Sequence, residues 1–459
     1  MTTHFDAIVI GTGQSGPSLA VRLARAGRNV AIIERKLFGG TCVNTGCIPT
    51  KALVASAYAA HLARRGAEYG VTITGEVRVD MQRVKARKDA ISNASSKGVE
   101  SWLRGTKNLT VINGHARFES PTTVSVNGDL LSAAQFFINV GGRAIVPALG
   151  GIELIPYYTN STIMDVDFVP EHLVIIGGSY IGLEFAQMYR RFGAQVTVIE
   201  KSKVVIGRED TDVSQGVLDI MRNDGVVVET GAECMRFELR GDKIAVGLDC
   251  DGIGREVVAS HVLLAVGRVP NTGDLGVDKA GIATDERGYI TVDDRLRTNV
   301  ANVWAIGDCN GRGAFTHTSF NDYEIVADNL LNGEHRSVRD RITAYGLFID
   351  PPLGRAGMTD DEIRKSGRTA LVGMRPMKRV GRAVEKGESQ GFMKIAVDAE
   401  TKQILGAAIL GVGGDEAIHA VLSIMYAKAP YTVLQRSMNI HPTVSELIPT
   451  ILGELKPMN

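Results

Sequence analysis

Several things are scarce in this 459-residue chain, and each scarcity closes off a class of protein. Its 5 cysteines are too few for a disulfide-stapled secreted scaffold of this length. Lysine plus arginine and aspartate plus glutamate balance at 51 each, so no excess positive charge invites a polyanion and no nucleic-acid partner is expected. No apolar run approaches the roughly 20 residues that a bilayer span requires, so no membrane association is expected either. From Met1 to Asp6 there is no cationic region, long apolar segment or cleavage site of an export signal, and the apolar run Ala7 to Ile10 follows at once. A cytoplasmic protein is expected. The length, with 44% hydrophobic residues, suits about two to four globular domains.

What is present is concentrated at Gly39 to Lys51, where Cys42 and Cys47 stand five positions apart. In a reducing compartment a close cysteine pair is a redox couple or a metal site more often than a structural bridge. On a regular helix five residues rise about 7.5 Å and turn about 140° past a full circle, whereas bridged cysteines need Cα atoms within roughly 7 Å and converging side chains. A straight helix therefore cannot hold such a bridge. Gly39, Gly40 and Gly46 permit the distorted turn that would, and Pro49 is predicted to interrupt the backbone hydrogen-bond ladder just beyond it. A zinc site wants four ligands in closely spaced pairs. Cys234, Cys250 and Cys309 are scattered singly, so no resident metal is expected.

Before the cysteines, Ala7 to Ile10 reads as a buried strand, followed by Gly11-Thr12-Gly13-Gln14-Ser15-Gly16, a helix from Pro17 to Ala26, and a strand Val30 to Ile33 ending at Glu34. This is a dinucleotide fingerprint: glycines admit the pyrophosphate to a helix N-terminus and the acid bonds a ribose hydroxyl. The unit recurs without a gap at an offset of 166 residues, Gly11 matching Gly177, Gly16 matching Gly182 and Glu34 matching Glu200. Ser179 replaces the middle glycine, Gly13, in the second copy. Two dinucleotide sites follow. The first leads straight into the cysteines and is assigned FAD, the cofactor that must touch sulfur; the second is assigned the nicotinamide nucleotide. Glu200 favours NADH through the 2′-hydroxyl, with Lys201, Lys203 and Arg208 near enough in sequence to serve NADPH.

Further along, Ala52 to Arg65 and Met81 to Leu103 read as helices, the second with Met81, Val84, Ile91, Val99 and Trp102 as its apolar positions. Val111 to Phe118, Thr123 to Val126 and Phe136 to Val140 read as strands, and Gly288 to Val292 and Val303 to Ile306 lead into Gly307-Asp308. Beyond Thr343, strands Gly391 to Val397 and Ile404 to Leu410 precede a helix from Asp415 to Ala427, and Asn439 to Glu446 closes the pattern with His441.

Taken together, the cysteine string and the doubled fingerprint resemble the class I pyridine nucleotide-disulfide oxidoreductases. The resemblance covers nearly the whole chain and implies an α/β fold with two Rossmann-like dinucleotide-binding domains, for FAD and NAD(P), plus a C-terminal α+β dimerisation domain. The expected boundaries are 1–150 and 271–340 for the two parts of the FAD domain, 151–270 for the NAD(P) domain and 341–459 for the interface domain. It implies a Cys42-Cys47 redox disulfide, Cys47 nearer the flavin and Cys42 facing substrate, with Lys51 near the flavin and paired with Glu184. Tyr180 stands at the family's gating position, and Asp308 matches the aspartate that bonds the ribityl chain. Gly11, Gly13, Gly16, Glu34, Thr41, Gly142, Gly177, Gly182, Glu200 and Gly267 complete the expected cofactor-binding set. His441 with Glu446 resembles the family's base dyad, which reaches across a homodimer to the partner's cysteines, so each active site is expected to be shared between subunits.

The electron acceptor is written less plainly. The histidine dyad and Ala52-Leu53 after Lys51 favour dihydrolipoamide dehydrogenase, while the end of the chain, Gly453 to Asn459, lacks the second cysteine pair typical of mercuric reductases. Phe315-Thr316, Asn321 to Val326 and Asp350 to Thr359 resemble the reactive-chlorine-resistance branch of mercuric-reductase-like flavoproteins, linked to oxidant stress and Cu(II) reduction, and this branch is favoured. The acceptor is thus expected to be a disulfide, an oxidant or a metal ion. A flavin-bearing redox sensor without turnover is the alternative of another class.

Overall fold

The computed structural model describes residues 2–232, 235–248 and 254–458, so Cys234 and Cys250 lie outside the described residues. The glycine-flanked run at the N-terminus forms the strand Thr3–Ile10, buried on both faces from Ala7 onward as a central parallel strand requires. It pairs in parallel with Val30–Glu34 on one side and Asp129–Ile138 on the other. The complete sheet has 7 strands, the last of which, Val303–Ala305, returns from far along the chain to lie parallel to Phe136 through Ile138.

The second repeat builds its own 5-stranded parallel sheet around His172–Ile176 and Gln195–Glu200. Two antiparallel segments, Gly142–Ala144 and Arg268–Pro270, join this unit to the first. The C-terminal part is a 6-stranded antiparallel sheet with Phe392–Asp398 and Ile404–Leu410 at its centre, and the helix Gly414–Tyr426 packs on Ile404–Leu410 and its neighbour Leu353–Gly357. The architecture is the α/β arrangement expected, with the two repeats in separate sheets, the second all parallel and the first parallel at its core with the strands Arg117–Ser120 and Thr123–Val126 added antiparallel at one side.

Local differences have physical causes. The expected strand Val111 to Phe118 is two strands, Leu109–Asn113 and Arg117–Ser120, because the chain turns at Gly114, where an added Cβ would meet Val126 and Asn127 within 2.7 Å. Gly288 to Val292 makes only an isolated bridge between Thr284 and Ile290. The helix Met81–Arg104 buries Met81, Lys88, Ser92 and Leu103, a face kept by steps of three and four residues. Ile91 and Trp102 fall off that face and are exposed. Pro49 does not break a helix: the helix Cys47–Arg64 starts two residues earlier, so Pro49 sits in the first turn, where no intrahelical donor is needed.

Candidate active site

The sequence Gly39 to Gly46 makes a short helix and then a break at Thr45-Gly46 before the next one, with a cysteine on each side of the break. Gly39 and Gly40 take left-handed φ values of 93° and 62°, and a five-residue helix, Gly40–Asn44, follows. Asn44 Nδ2 closes this turn by donating to Phe38 O and Gly40 O, both at 2.9 Å. At Gly46 the chain passes so close to Thr41 that a Cβ would stand 2.8 Å from its carbonyl oxygen. From the second dinucleotide unit, the buried Asn160 donates to Thr45 O at 3.1 Å and pins the break. The next helix then begins at Cys47 itself.

The two thiols are unlike. Cys42 is half-buried, and a hydrogen bond with Cys47 together with burial pushes its pKa far above the ordinary thiol range. The Cys47 thiol is exposed and lowered to about 6, first by the hydrogen bond from Cys42, then by Thr316 and by the Lys51 ammonium. Thr316 Oγ1 lies 3.2 Å from Cys47 Sγ and opens the sixteen-residue helix Thr316–Leu331, which has no side-chain cap. An uncapped helix N-terminus presents free N–H groups and partial positive charge, both favourable to a thiolate. These surroundings favour the thiolate at Cys47 and the thiol at Cys42.

Lys51, one turn beyond Cys47, donates to Glu184 Oε2 at 2.8 Å and lies 4.4 Å from the centroid of the Phe348 ring. Glu184 Oε1 accepts from the Phe348 backbone N–H at 3.0 Å, so this buried carboxylate has a partner on each oxygen. Glu184 and Tyr180 lie one turn apart on the helix Tyr180–Phe192, which packs on the cysteine helix. At the other end of the chain, His441 Nδ1 is 2.9 Å from Glu446 Oε2, with the histidine side chain 82% exposed. Within one chain the dyad is assembled but turned to solvent, among the exposed Met438 and Ile440.

Both glycine loops have the same internal wiring, shifted by the repeat. Glu34 accepts from Thr12 N at 2.9 Å and Lys36 N at 2.8 Å; Glu200 accepts from Gly178 N at 2.6 Å and Ser202 N at 2.7 Å. A Cβ on Gly11 would meet Asn139 O at 2.3 Å and one on Gly177 would meet Ala265 O at 2.5 Å, while Gly16 and Gly182 pack directly on the preceding glycines. Gly13 is less constrained, its nearest neighbour being the Asn139 side chain at 3.2 Å. Ser179 takes an extended backbone (φ −103°, ψ −174°), which any residue adopts, so it replaces the glycine without strain. Neither following helix, Gly16–Arg25 or Tyr180–Phe192, has a side-chain cap on its first turn. Two open helix N-termini behind glycine loops fit the pyrophosphates of two dinucleotides.

Asp308 lies in the turn Gly307–Asn310, 3.9 Å from Arg268 Nε, and burial raises its carboxyl above the usual range despite that guanidinium. Gly142 opens one of the paired segments that connect the two units and Gly267 immediately precedes the other, and Thr41 is exposed beside Cys42. Sequence reasoning did not assign a role to Thr316, Asn160 or Phe348. Each reaches the site across more than a hundred residues, and only Thr316 carried a signal, in the Phe315-Thr316 string of the branch resemblance.

Among the described residues no helix is long and apolar enough to cross a membrane. A family model for pyridine nucleotide-disulphide oxidoreductases matches residues 5–322, and the dimerisation domain of the same family matches residues 343–451. The chain is 35% identical to the probable pyridine nucleotide-disulfide oxidoreductase RclA of Escherichia coli, covering 98% of this chain and 99% of that protein. It is 32% identical to a dihydrolipoyl dehydrogenase of Thermus scotoductus (96% and 95% covered) and 29% identical to a mercuric reductase of Streptomyces lividans (97% and 95%). Among solved structures, the HOCl-induced flavoprotein disulfide reductase RclA from Escherichia coli superposes with a TM-score of 0.89 at 35% identity, over 98% of this chain and 99% of that one. The Cu(II) complex of the same reductase gives 0.90 at 35% identity, over 99% and 100%.

Proposed function

Because the chain belongs to the pyridine nucleotide-disulphide oxidoreductases, enzymes that use FAD and NAD(P)H, we propose that Cys42 and Cys47 are its redox pair and that an oxidant or Cu(II) is its physiological acceptor. The observation that carries the reading is the setting of the two thiols: Cys47 opens a helix and lies 3.2 Å from Thr316 Oγ1 at the start of another, surroundings that favour its thiolate, while Cys42 is the more buried sulfur and favours its thiol. Such a pair has one sulfur ready to exchange electrons and another ready to meet substrate.

FAD is assigned to Gly11, Gly13, Gly16, Glu34, Thr41, Gly142 and Asp308, and the nicotinamide nucleotide to Gly177, Tyr180, Gly182, Glu200 and Gly267, with NADH favoured through Glu200. The chemistry that FAD supplies when bound is the relay of an electron pair from NAD(P)H to a disulfide. The protein's part is positional and electrostatic. Thr316 and Lys51 hold the Cys47 thiolate, the Lys51-Glu184 pair fixes the ammonium, and His441 with Glu446 moves the proton of the outer sulfur. The exposure of that dyad supports a homodimer in which it serves the partner's cysteines, with residues 341–459 as interface domain, 151–270 as the NAD(P) domain and the remainder holding FAD. We place the enzyme in the cytoplasm, where its thiols are kept reduced.

The oxidant or Cu(II) reading over lipoamide draws on the likeness to RclA, whose solved structures are titled HOCl-induced and, in one case, a Cu(II) complex. The test is NAD(P)H-dependent reduction of Cu(II) beside NAD⁺ reduction by dihydrolipoamide, each with wild type and Cys42→Ser. Cys42-dependent Cu(II) turnover with negligible dihydrolipoamide activity is expected. Fast, Cys42-dependent dihydrolipoamide oxidation would overturn it and make the protein a dihydrolipoamide dehydrogenase.

A further inference from the structure

Between the second glycine loop and Cys47 lies a group of aromatic rings. Tyr180, the first residue of its helix, meets Phe315 edge-on at a centroid distance of 6.3 Å and Tyr345 at 5.5 Å, while Phe315 and Tyr345 stack at 5.3 Å. Phe315 immediately precedes Thr316, the partner of Cys47. A dinucleotide seated at the amino end of Tyr180–Phe192 and reaching toward the sulfur therefore meets the Tyr180 ring.

The ring is tethered by Glu209. One oxygen of this carboxylate, Oε1, accepts from Tyr345 at 2.7 Å and from Tyr180 at 3.1 Å. Its side chain is fully buried, yet Oε2 has no hydrogen-bond partner and stands 3.7 Å from Arg355 Nη1. Arg355, 2% exposed, belongs to the C-terminal sheet, donates to Asp210 at 2.7 Å and Met358 O at 2.9 Å, and leaves its own Nε unpartnered. The nearby acids Asp210, Asp212 and Asp360 are not a metal site, since Lys394 Nζ sits among them at 2.8–2.9 Å. Burial, then the charge of Glu209, raises both phenols well above their usual range, so both stay donors at working pH. A buried carboxylate that takes two donors on one oxygen and none on the other is held most closely by Tyr345, with the Arg355 charge nearby, and less closely by Tyr180, its longer bond.

We propose that Glu209, held by Tyr345 and close to Arg355, is the latch on the gate that the family resemblance assigns to Tyr180, and that its hold on the phenol sets what opening that gate to the nicotinamide nucleotide costs. This rests on the reading of Gly177 to Glu200 as the nucleotide site. Glu209 and Tyr345 are then positioning residues that set nucleotide affinity without touching the reacting atoms, and the C-terminal sheet reaches the nucleotide site through Arg355.

The test is calorimetric binding of NAD⁺ and NADP⁺ to the oxidised, flavin-loaded dimer, with thermal unfolding measured in parallel. Tyr180→Phe keeps the ring and removes the bond, and should tighten binding about tenfold, the latched population no longer competing. Tyr345→Phe, which loosens the carboxylate, should tighten it about threefold, and the double variant should bind no tighter than Tyr180→Phe alone. If Tyr345→Phe does not fold, Glu209→Gln replaces it in the cycle. Unchanged or weaker binding by Tyr180→Phe, or strictly additive effects, would overturn the latch while leaving the nucleotide site intact; wild type that binds neither nucleotide would overturn both. A purely structural Glu209 would shift the melting temperature and leave the cycle flat.

Discussion

Replacing Thr316 by valine tests how the protein makes Cys47 acidic. The change keeps the side chain's volume and removes one O–H that lies 3.2 Å from Sγ. A hydrogen bond to a charged group contributes about 1.5–3 kcal/mol, and the low end applies to an exposed sulfur. At about 1.4 kcal/mol per pKa unit, that is a rise of about one unit. The lower apparent pKa of the dithiol should move from about 6 to near 7. At pH 6.5 the thiolate fraction should then fall from about three quarters to about one quarter. The assay is the pH dependence of iodoacetamide alkylation in the reduced protein, read peptide by peptide by mass spectrometry so that Cys47 is separated from Cys42. An inflection still at 6 in Thr316→Val would refute the reasoning and leave the Cys42 thiol and the Lys51 ammonium as the sources of the acidity. The same shift fixes the sign of a stability effect. Cys47 is depressed, so its contribution to the reduced protein is full above the ordinary thiol range and is lost as pH falls through 6; the raised Cys42 acts oppositely, its contribution fading only as pH climbs past the ordinary range.

Two further outcomes are expected. His441→Gln should slow acceptor turnover by about 10²–10⁴; single-turnover reduction by nucleotide should be unaffected, and a variant with full acceptor turnover would remove the dyad from the mechanism. Gly177→Ala, forced to a φ of 112° with its Cβ 2.5 Å from Ala265 O, should abolish nucleotide binding and keep flavin, whereas Gly11→Ala should purify without flavin; the reverse pattern in flavin absorbance and calorimetry would exchange the two sites.

Much of the site was legible because its chemistry is local in sequence. Cys42 and Cys47, the glycines of both repeats, and His441 with Glu446 each fall within a short string whose spacing carries the geometry. The Lys51-Glu184 pair was legible through the resemblance, since the two positions are far apart in the chain. Thr316, Tyr345 and Arg355 were not assigned roles because theirs depend on where one sheet docks on another, which no local pattern encodes. The helix Met81–Arg104 shows the limit of periodicity: its apolar residues suggested one face, but buried Lys88 and Ser92 belong to the packed face and Trp102 does not. At Pro49 the error was one of register, a residue read as a terminator being a first-turn residue.

The return of Val303–Ala305 to the first sheet has a consequence for how the chain is made. Phe136, Phe137 and Ile138 wait across about 165 residues for their partner strand, and contacts of such separation form late. During synthesis the second repeat, whose sheet is drawn from one continuous stretch, is complete before the first sheet has its last strand. Until then an apolar edge of the first sheet stands open, a ready template for pairing with another nascent chain. The order of synthesis thus sets a window in which the unfinished sheet keeps an open edge, and that window closes only when residue 305 has left the ribosome.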